Sequence, residues 1–230
     1  MDSIIKLENI DYTYPDEEQP VFTQLDISLP PGVTSLMGQN GTGKSTLLLL
    51  AAGRLFAQKG VVEILGKDSR ELESEEERNE YVSFIYQNME FDTEGTTEEL
   101  LEFIYENGFQ EDKNRKLLLD VIDVFELGES LGKPLQHVSK GEMQRAILAF
   151  SLLYGSKIIM MDEPVFALEE HQKKQAMEYM ANYSRLRGVH LLYSAHEIEI
   201  TEQYSDNVIL FHKDGSIGIG STKATLTDEN

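Results

Sequence analysis

Gly38-Gln39-Asn40-Gly41-Thr42-Gly43-Lys44-Ser45 follows the pattern G-x-x-x-x-G-K-[ST]. Those residue types suit a phosphate cradle. Glycine lets backbone N–H groups turn inward and approach phosphate oxygens closely. A helix beginning near Lys44 adds the positive end of its dipole. Lys44 is placed to reach the β- and γ-phosphates of a nucleoside triphosphate, and the Ser45 hydroxyl to ligate Mg2+. The candidate nucleotide-binding set is therefore Gly38, Asn40, Gly41, Thr42, Gly43, Lys44, Ser45 and Thr46. Further along, Ile158-Ile159-Met160-Met161-Asp162-Glu163-Pro164 is an apolar run ending in acid. It puts Asp162 at the carboxyl end of a buried strand, where open α/β sheets bind ligands. Asp162 would hold Mg2+, directly or through water, and Glu163 would polarise an attacking water as general base. Such a run says little alone; downstream of a phosphate loop it says much.

Hydrophobic periodicity marks the elements that must position these residues. Ile4–Tyr14 and Val21–Leu29 read as opening strands, joined through a turn at Pro15–Pro20 into an amino-terminal antiparallel β subdomain. Val33–Met37 is a short buried strand entering the glycine loop, and Lys44–Leu55 the helix leaving it. Gly60–Leu65 and Val82–Tyr86 are further strands. From Thr96 to Leu127 the period turns helical, with one apolar stripe at Leu100, Leu101, Phe103 and Ile104. A second stripe runs through Leu117, Leu118, Val121, Ile122, Val124 and Phe125. Gly141–Leu153 and Glu169–Arg187 are helical; Lys157–Asp162, Val189–Ser194 and Asn207–Phe211 are strands. Glu197–Gln203 is a short helix, and Lys213-Asp214-Gly215 turns into a last strand, Ile217–Gly220. The polar tail, Ser221–Asn230, is expected to fray. Strands alternating with helices predict an α/β fold on a mainly parallel sheet. The 230 residues fit one domain, with a helical subdomain inserted at roughly 88–155.

Composition narrows the function. The chain is 40% hydrophobic and 27% charged, an ordinary globular balance. No apolar run approaches the roughly 20 residues of a membrane-spanning helix; Leu47–Ala52 and Ile158–Met161 are core-sized. The amino terminus begins with a strand-like pattern rather than a signal peptide. Zero cysteines exclude disulfides and thiolate metal sites. A net charge of −21 repels phosphate backbones, which argues against nucleic acid as a partner. The strongest acidic run, Asp68–Glu80, reads either as a docking patch for a basic partner or as a solvated helix or loop.

With the phosphate loop and the strand-end acids in this order, the chain resembles the ATP-binding cassette family over nearly its whole length. The resemblance implies a P-loop ATPase core binding ATP and Mg2+. Tyr14 lies where that family stacks an aromatic on adenine, with Tyr12 the rival. Gln87, closing the strand Val82–Tyr86, resembles the glutamine that contacts Mg2+ or the lytic water and links the helical subdomain to the nucleotide. His196, after Val189–Ser194, resembles the switch histidine that contacts the γ-phosphate. Val138-Ser139-Lys140-Gly141-Glu142-Met143-Gln144-Arg145 is similar to the family signature, LSGGQ. There the Ser139 hydroxyl, the Gly141 N–H and the residue at 142 would complete an anion site facing the γ-phosphate held by a second subunit. The implied assembly is a head-to-tail pair around two ATP molecules, most simply a homodimer. Three residues depart from the pattern: Lys140 for glycine, Phe166 for a small residue, and Glu169 for aspartate.

The resemblance extends to transporter ATPases whose integral membrane permease subunits are separate chains. It implies ATP hydrolysis coupled to transport, at the cytoplasmic face of the cell membrane. Asn88–Gly95 and Thr96–Asn107 lie where such subunits dock, with Met89, Phe91 and Phe103 as candidate groove residues, although core packing also explains Phe103. His171-Gln172 and Gln203-Tyr204-Ser205-Asp206 are similar to stretches of importers for iron-siderophore, haem and cobalamin. The alternatives are a lipid or other-substrate transporter ATPase, or a soluble cassette ATPase such as an iron–sulfur assembly factor.

Overall fold

A computed structural model describes residues 3–91, 93–110, 113 and 115–227. Four strands form an antiparallel sheet: β1 (Ile5–Tyr12), β2 (Phe22–Leu29), β4 (Lys59–Ile64) and β5 (Lys67–Asp68), in the order β2-β1-β4-β5. Six form the main sheet: β3 (Val33–Gly38), β6 (Val82–Ile85), β7 (Ile158–Met161), β8 (His190–Ala195), β9 (Asn207–Phe211) and β10 (Ile217–Ser221). Their order is β10-β9-β3-β8-β7-β6, with every neighbouring pair parallel except β9–β10. The architecture is thus mixed α/β with an antiparallel β subdomain.

The parallel strands are apolar on both faces because both faces are covered. Ile158 and Met160 of β7 point towards the antiparallel sheet, with Val82, Phe84 and Leu192. Ile159 and Met161 point the other way, with Ile85, Leu191 and Tyr193. The helix α1 (Lys44–Ala51) lies between the two sheets, with Leu47, Leu48, Leu50 and Ala51 fully buried. A helix apolar all round must be enclosed in this way. It ends at Ala51, earlier than the expected Leu55.

The opposite face carries α3 (Thr97–Asn107), α4 (Arg115–Val124), α5 (Lys140–Tyr154) and α6 (Glu170–Arg187). Of the predicted stripes, Leu101, Ile104, Leu117, Leu118, Val121 and Phe125 are buried. Phe103 departs from its stripe and from core packing; it is 63% exposed, because it lies about 200° round the helix from the inward-facing Leu101 and Tyr105. The helix α7 is Ile198–Tyr204.

The acidic run takes its solvated-helix form, whereas the tail differs from expectation. The acidic run forms β5, a 3-10 turn at Ser69–Glu71 and α2 (Glu75–Tyr81), capped by Ser74, whose hydroxyl accepts from Glu77 N at 3.0 Å. Glu71, Glu73, Glu75 and Glu76 face solvent. Acids in the first turn also complement the helix dipole. The tail does not fray before residue 227: Thr222–Thr227 is α8, and Leu226, 7% exposed, packs against Met37 and Val208. One apolar residue in a polar tail suffices to dock it.

Candidate functional site

The parallel register brings the functional segments to one edge. Met37 lies opposite Ala195, Met161 opposite Tyr193 and Ile85 opposite Met161. Hence the segments leaving β3, β8, β7 and β6 emerge side by side. They carry the glycine loop, His196, Asp162-Glu163 and Gln87.

Gly38, Gly41 and Gly43 all have positive φ (148°, 80° and 99°). A Cβ on Gly38 would lie 2.7 Å from Phe211 O, and one on Gly43 3.0 Å from the Phe22 ring, so the loop is pressed onto β9 and β2. Lys44 is 6% exposed, and its ammonium donates to Gly38 O (2.8 Å) and Gln39 O (3.0 Å). Burial pushes its pKa down, against the upward pull of Glu163 and Asp162. Thr42 Oγ1 donates to Gln39 O at 2.8 Å. Asn40, Gly41 and Ser45 are exposed, while Thr46 is buried beneath the loop. The Thr46 hydroxyl meets the Tyr14 hydroxyl at 3.1 Å. Tyr12 is 5% exposed and its ring meets that of Tyr14 edge-on at 5.0 Å. Of the two rings, that of the half-buried Tyr14 is the more open to the space beside the loop.

Asp162 and Glu163 stand beyond the end of β7. Glu163 has a left-handed backbone, φ 50°, which a side-chain-bearing residue adopts at a cost. Both carboxylate oxygens are held: Gln87 Nε2 donates to Oε2 and His196 Nε2 pairs with Oε1, each at 2.7 Å. The fifth member is Ser194, 1% exposed on β8. Its hydroxyl donates to Asp162 Oδ1 (2.6 Å) and accepts from Glu163 N (2.7 Å). Sequence reasoning passes over Ser194, which appears only as the end of an apolar strand. The available signal was a small polar residue in a fully buried strand two positions before His196.

Ser139 caps α5, its hydroxyl accepting from Glu142 N at 3.2 Å. Glu142 Oε2 accepts from Ser139 N (2.8 Å) and Oε1 pairs with Lys133 (2.6 Å). The ammonium of Lys133 and the N–H and hydroxyl of Ser139 pull the Glu142 pKa down to about 2. The structure therefore places Glu142 in the helix cap, its carboxylate spent on Ser139 and Lys133. Gly141 lies against Ala167 O, 3.5 Å from where a Cβ would stand. Ser139 and Lys140 line a groove of about 620 Å3 with Gln87, Phe91, Met143 and Phe166. No described residue of the phosphate loop lines that groove.

The ABC transporter family profile matches residues 22–166, from β2 through the strand-end acids. The chain belongs to the ABC transporter family. A putative ABC transporter ATP-binding protein of Caldanaerobacter subterraneus is 27% identical over 100% of this chain and 96% of its own length. The petrobactin import ATP-binding protein FatE of Bacillus anthracis is 29% identical over 98% and 90%. Among solved structures, cbiO1 of Clostridium perfringens, part of a cbiONQ transporter complex, superposes with a TM-score of 0.79 at 23% identity, over 100% of this chain and 92% of that one. The dimeric post-hydrolysis state of an ATP-binding cassette with ADP and Pi gives 0.79 at 22% identity, over 95% and 98%.

Within this ABC chain, the two importer-like stretches have architectural uses. Asp206 Oδ2 accepts from Val33 N at 2.9 Å, steadying the strand that feeds the phosphate loop. Ser205 bonds the buried Tyr193 hydroxyl at 2.7 Å. Gln172 Oε1 accepts from Glu169 N at 3.4 Å, and its amide reaches Glu126 at 3.1 Å.

Proposed function

We propose that this chain is the ATP-hydrolysing subunit of a transporter, working as a head-to-tail pair that drives separate membrane subunits. The observation that carries it is Glu163, a carboxylate with both oxygens positioned by Gln87 and His196 on the sheet edge that bears Lys44. The glycine loop and Lys44 hold the β- and γ-phosphates. Water attacks the γ-phosphorus, Glu163 takes its proton, and the bond to the β–γ bridging oxygen breaks to leave ADP and phosphate. His196 and Lys44 stabilise the charge on the transferring group, since catalysis here is mostly positioning and electrostatics.

The residues fit Mg2+. That ion prefers oxygen ligands and keeps several waters, so a few protein oxygens suffice beside the phosphates. Ser45 is exposed at the head of α1. Asp162 spends Oδ1 on Ser194 and keeps Oδ2; Gln87 spends its amide nitrogen on Glu163 and keeps its oxygen. When bound, the ion would neutralise phosphate charge.

The pairing follows from what the groove lacks. Ser139 and Lys140, exposed at the start of α5, need a phosphate that their own loop does not bring to them. A second chain supplies it, and this chain returns the service. Residues 88–155 act as a helical unit that swings on Gln87. Met89 and Phe91, part-buried beside the groove, and the exposed Phe103 receive the permease. No helix of the described residues is long and apolar enough to cross a membrane; as a subunit that drives separate permease chains, it would sit peripherally on the cytoplasmic face beside them. Likeness to the petrobactin import protein supports an importer of iron-siderophore type.

Glu163→Gln tests the reading. The variant should bind ATP, lose turnover and accumulate as a dimer in size-exclusion chromatography with ATP. Wild-type turnover would remove Glu163 from the role of base.

A further inference from the structure

Away from the hydrolytic edge, one polar knot ties three helices together. Glu126 sits in the turn closing α4 with a left-handed backbone, φ 51°. Its Oε2 accepts from Arg145 Nη1 on α5 and from Gln172 Nε2 on α6, both at 3.1 Å. A second α6 amide, Gln175 Nε2, donates to Val124 O at 2.9 Å, a carbonyl that the last turn of α4 leaves without a helical partner. Leu168 and Ala176 line the cleft beside the knot, while the Glu126 side chain is 45% exposed at its outer edge. The Arg145 side chain is 15% exposed, and its Nε is buried without a hydrogen-bond partner. Among the described residues, Glu126 is the one carboxylate paired with it.

The location matters more than the energy. Arg145 stands six residues past Ser139, about 9 Å along the helix axis. Gln172 stands in the first turn of α6, directly after Val165-Phe166-Ala167-Leu168. At their near ends, α5 and this segment meet where Gly141 faces Ala167 O. Farther along, the Tyr183 hydroxyl of α6 donates to Leu152 O of α5 at 3.1 Å, and the two helices share apolar core; the Glu126 tie is the polar one nearest Ser139 and Val165–Leu168, where the helix ends are otherwise held by the Gly141 contact. We propose that Glu126 is a positioning residue: it fixes α5 to α6 so that Ser139–Gly141 and Val165–Leu168 meet the partner subunit as one rigid face. This rests on the paired reading above.

The test separates positioning from stability. Glu126→Ala leaves the Arg145 cation buried and unpaired, which destabilises the fold. Adding Arg145→Met removes that cation and should restore the urea midpoint. Activity should not return with it: both Glu126→Ala and the double variant should hydrolyse ATP about ten- to a hundredfold more slowly, as expected when a catalytic face is misplaced by about 1 Å. Binding of a fluorescent ATP analogue to the monomer should stay at the wild-type level, since the phosphate loop is untouched. If Glu126→Ala does not fold, Glu126→Gln with Arg145→Met carries the same comparison. Recovery of stability and activity together would reduce Glu126 to a structural residue and overturn the proposal, as would wild-type turnover in Glu126→Ala. Failure of the paired reading looks different: wild-type specific activity would then be independent of protein concentration.

Discussion

Ser194→Ala isolates a single hydroxyl from the hydrolytic edge. In the folded chain that group donates to Asp162 Oδ1 at 2.6 Å and accepts from Glu163 N at 2.7 Å, while 1% exposed. Alanine fits the space but supplies neither bond. Asp162 can replace its donor with water at the open edge. Glu163 N cannot easily do so, and a buried donor left unsatisfied costs about 1–3 kcal/mol. The hydrogen bond also helps hold Glu163 at φ 50°, a conformation that costs about 1–2 kcal/mol by itself. Without it, Glu163 relaxes towards an ordinary backbone, and its carboxylate leaves the position set by Gln87 and His196. We expect a stability loss of about 1–3 kcal/mol in urea titrations followed by circular dichroism. We expect kcat to fall about ten- to a hundredfold, equivalent to roughly 1.4–2.7 kcal/mol of barrier. The affinity of the monomer for ATP should hold, because Lys44 and the glycine loop are untouched. A variant with full kcat would show that Asp162 and Glu163 are positioned without Ser194, and the reasoning would fail.

Three further predictions concern caps and protons. Glu142→Gln keeps an acceptor for Ser139 N and loses only the partly exposed ion pair to Lys133, so it should cost less than about 1 kcal/mol; Glu142→Ala also loses the reciprocal bond to Ser139 N, while Ser139 still caps the backbone N–H at 142, and should cost about 1 kcal/mol more, and equal urea midpoints for the two would contradict the capping account. Because the folded-state pKa of Glu142 lies at about 2, below its usual 4.5, its contribution is complete above about pH 4.5 and is lost as pH falls towards 2; wild-type stability should fall more steeply than that of Glu142→Gln over that window. His190 accepts from Gly32 N through Nδ1 at 3.2 Å, and burial lowers its pKa from the usual 6.5. The unfolded chain therefore takes the proton first, and stability is lost as pH falls below about 6.5 until the folded-state pKa is passed. Histidine NMR titration should place this ring below the usual 6.5, and His190→Asn should flatten the stability profile in that window.

Local chemistry made part of this protein readable in one dimension. The glycine loop is contiguous, so spacing alone relates Gly38 to Lys44 and Ser45. Strand ends are readable because parallel strands buried on both faces appear as unbroken apolar runs, as in Ile158–Met161. The α/β class, the mainly parallel sheet and the family resemblance follow from such runs and their order. The tail escaped this logic because one residue, Leu226, docks it, and a single apolar position has no period. Phe103 escaped it because Leu100, Leu101, Phe103 and Ile104 span more than one face of a helix, and only packing shows that Leu101, Ile104 and Tyr105 turn inward.

Tertiary structure decided what depends on distances between segments far apart in the chain. Gln87, Glu163 and His196 are separated by dozens of residues, and only the register of β6, β7 and β8 puts an amide and an imidazole on the two oxygens of one carboxylate. Ser194 became visible in the same way, since a hydroxyl has no role until its neighbours across the sheet are known. Tertiary contact also adds Lys133, nine residues earlier, to the carboxylate of Glu142, which the local Ser139–Glu142 cap already holds. The sequence by itself determined which groups could bind phosphate and activate water, because bond chemistry belongs to residue types. Their assembly into a single edge came from strand pairing and packing, which act through space and leave no local mark on the chain.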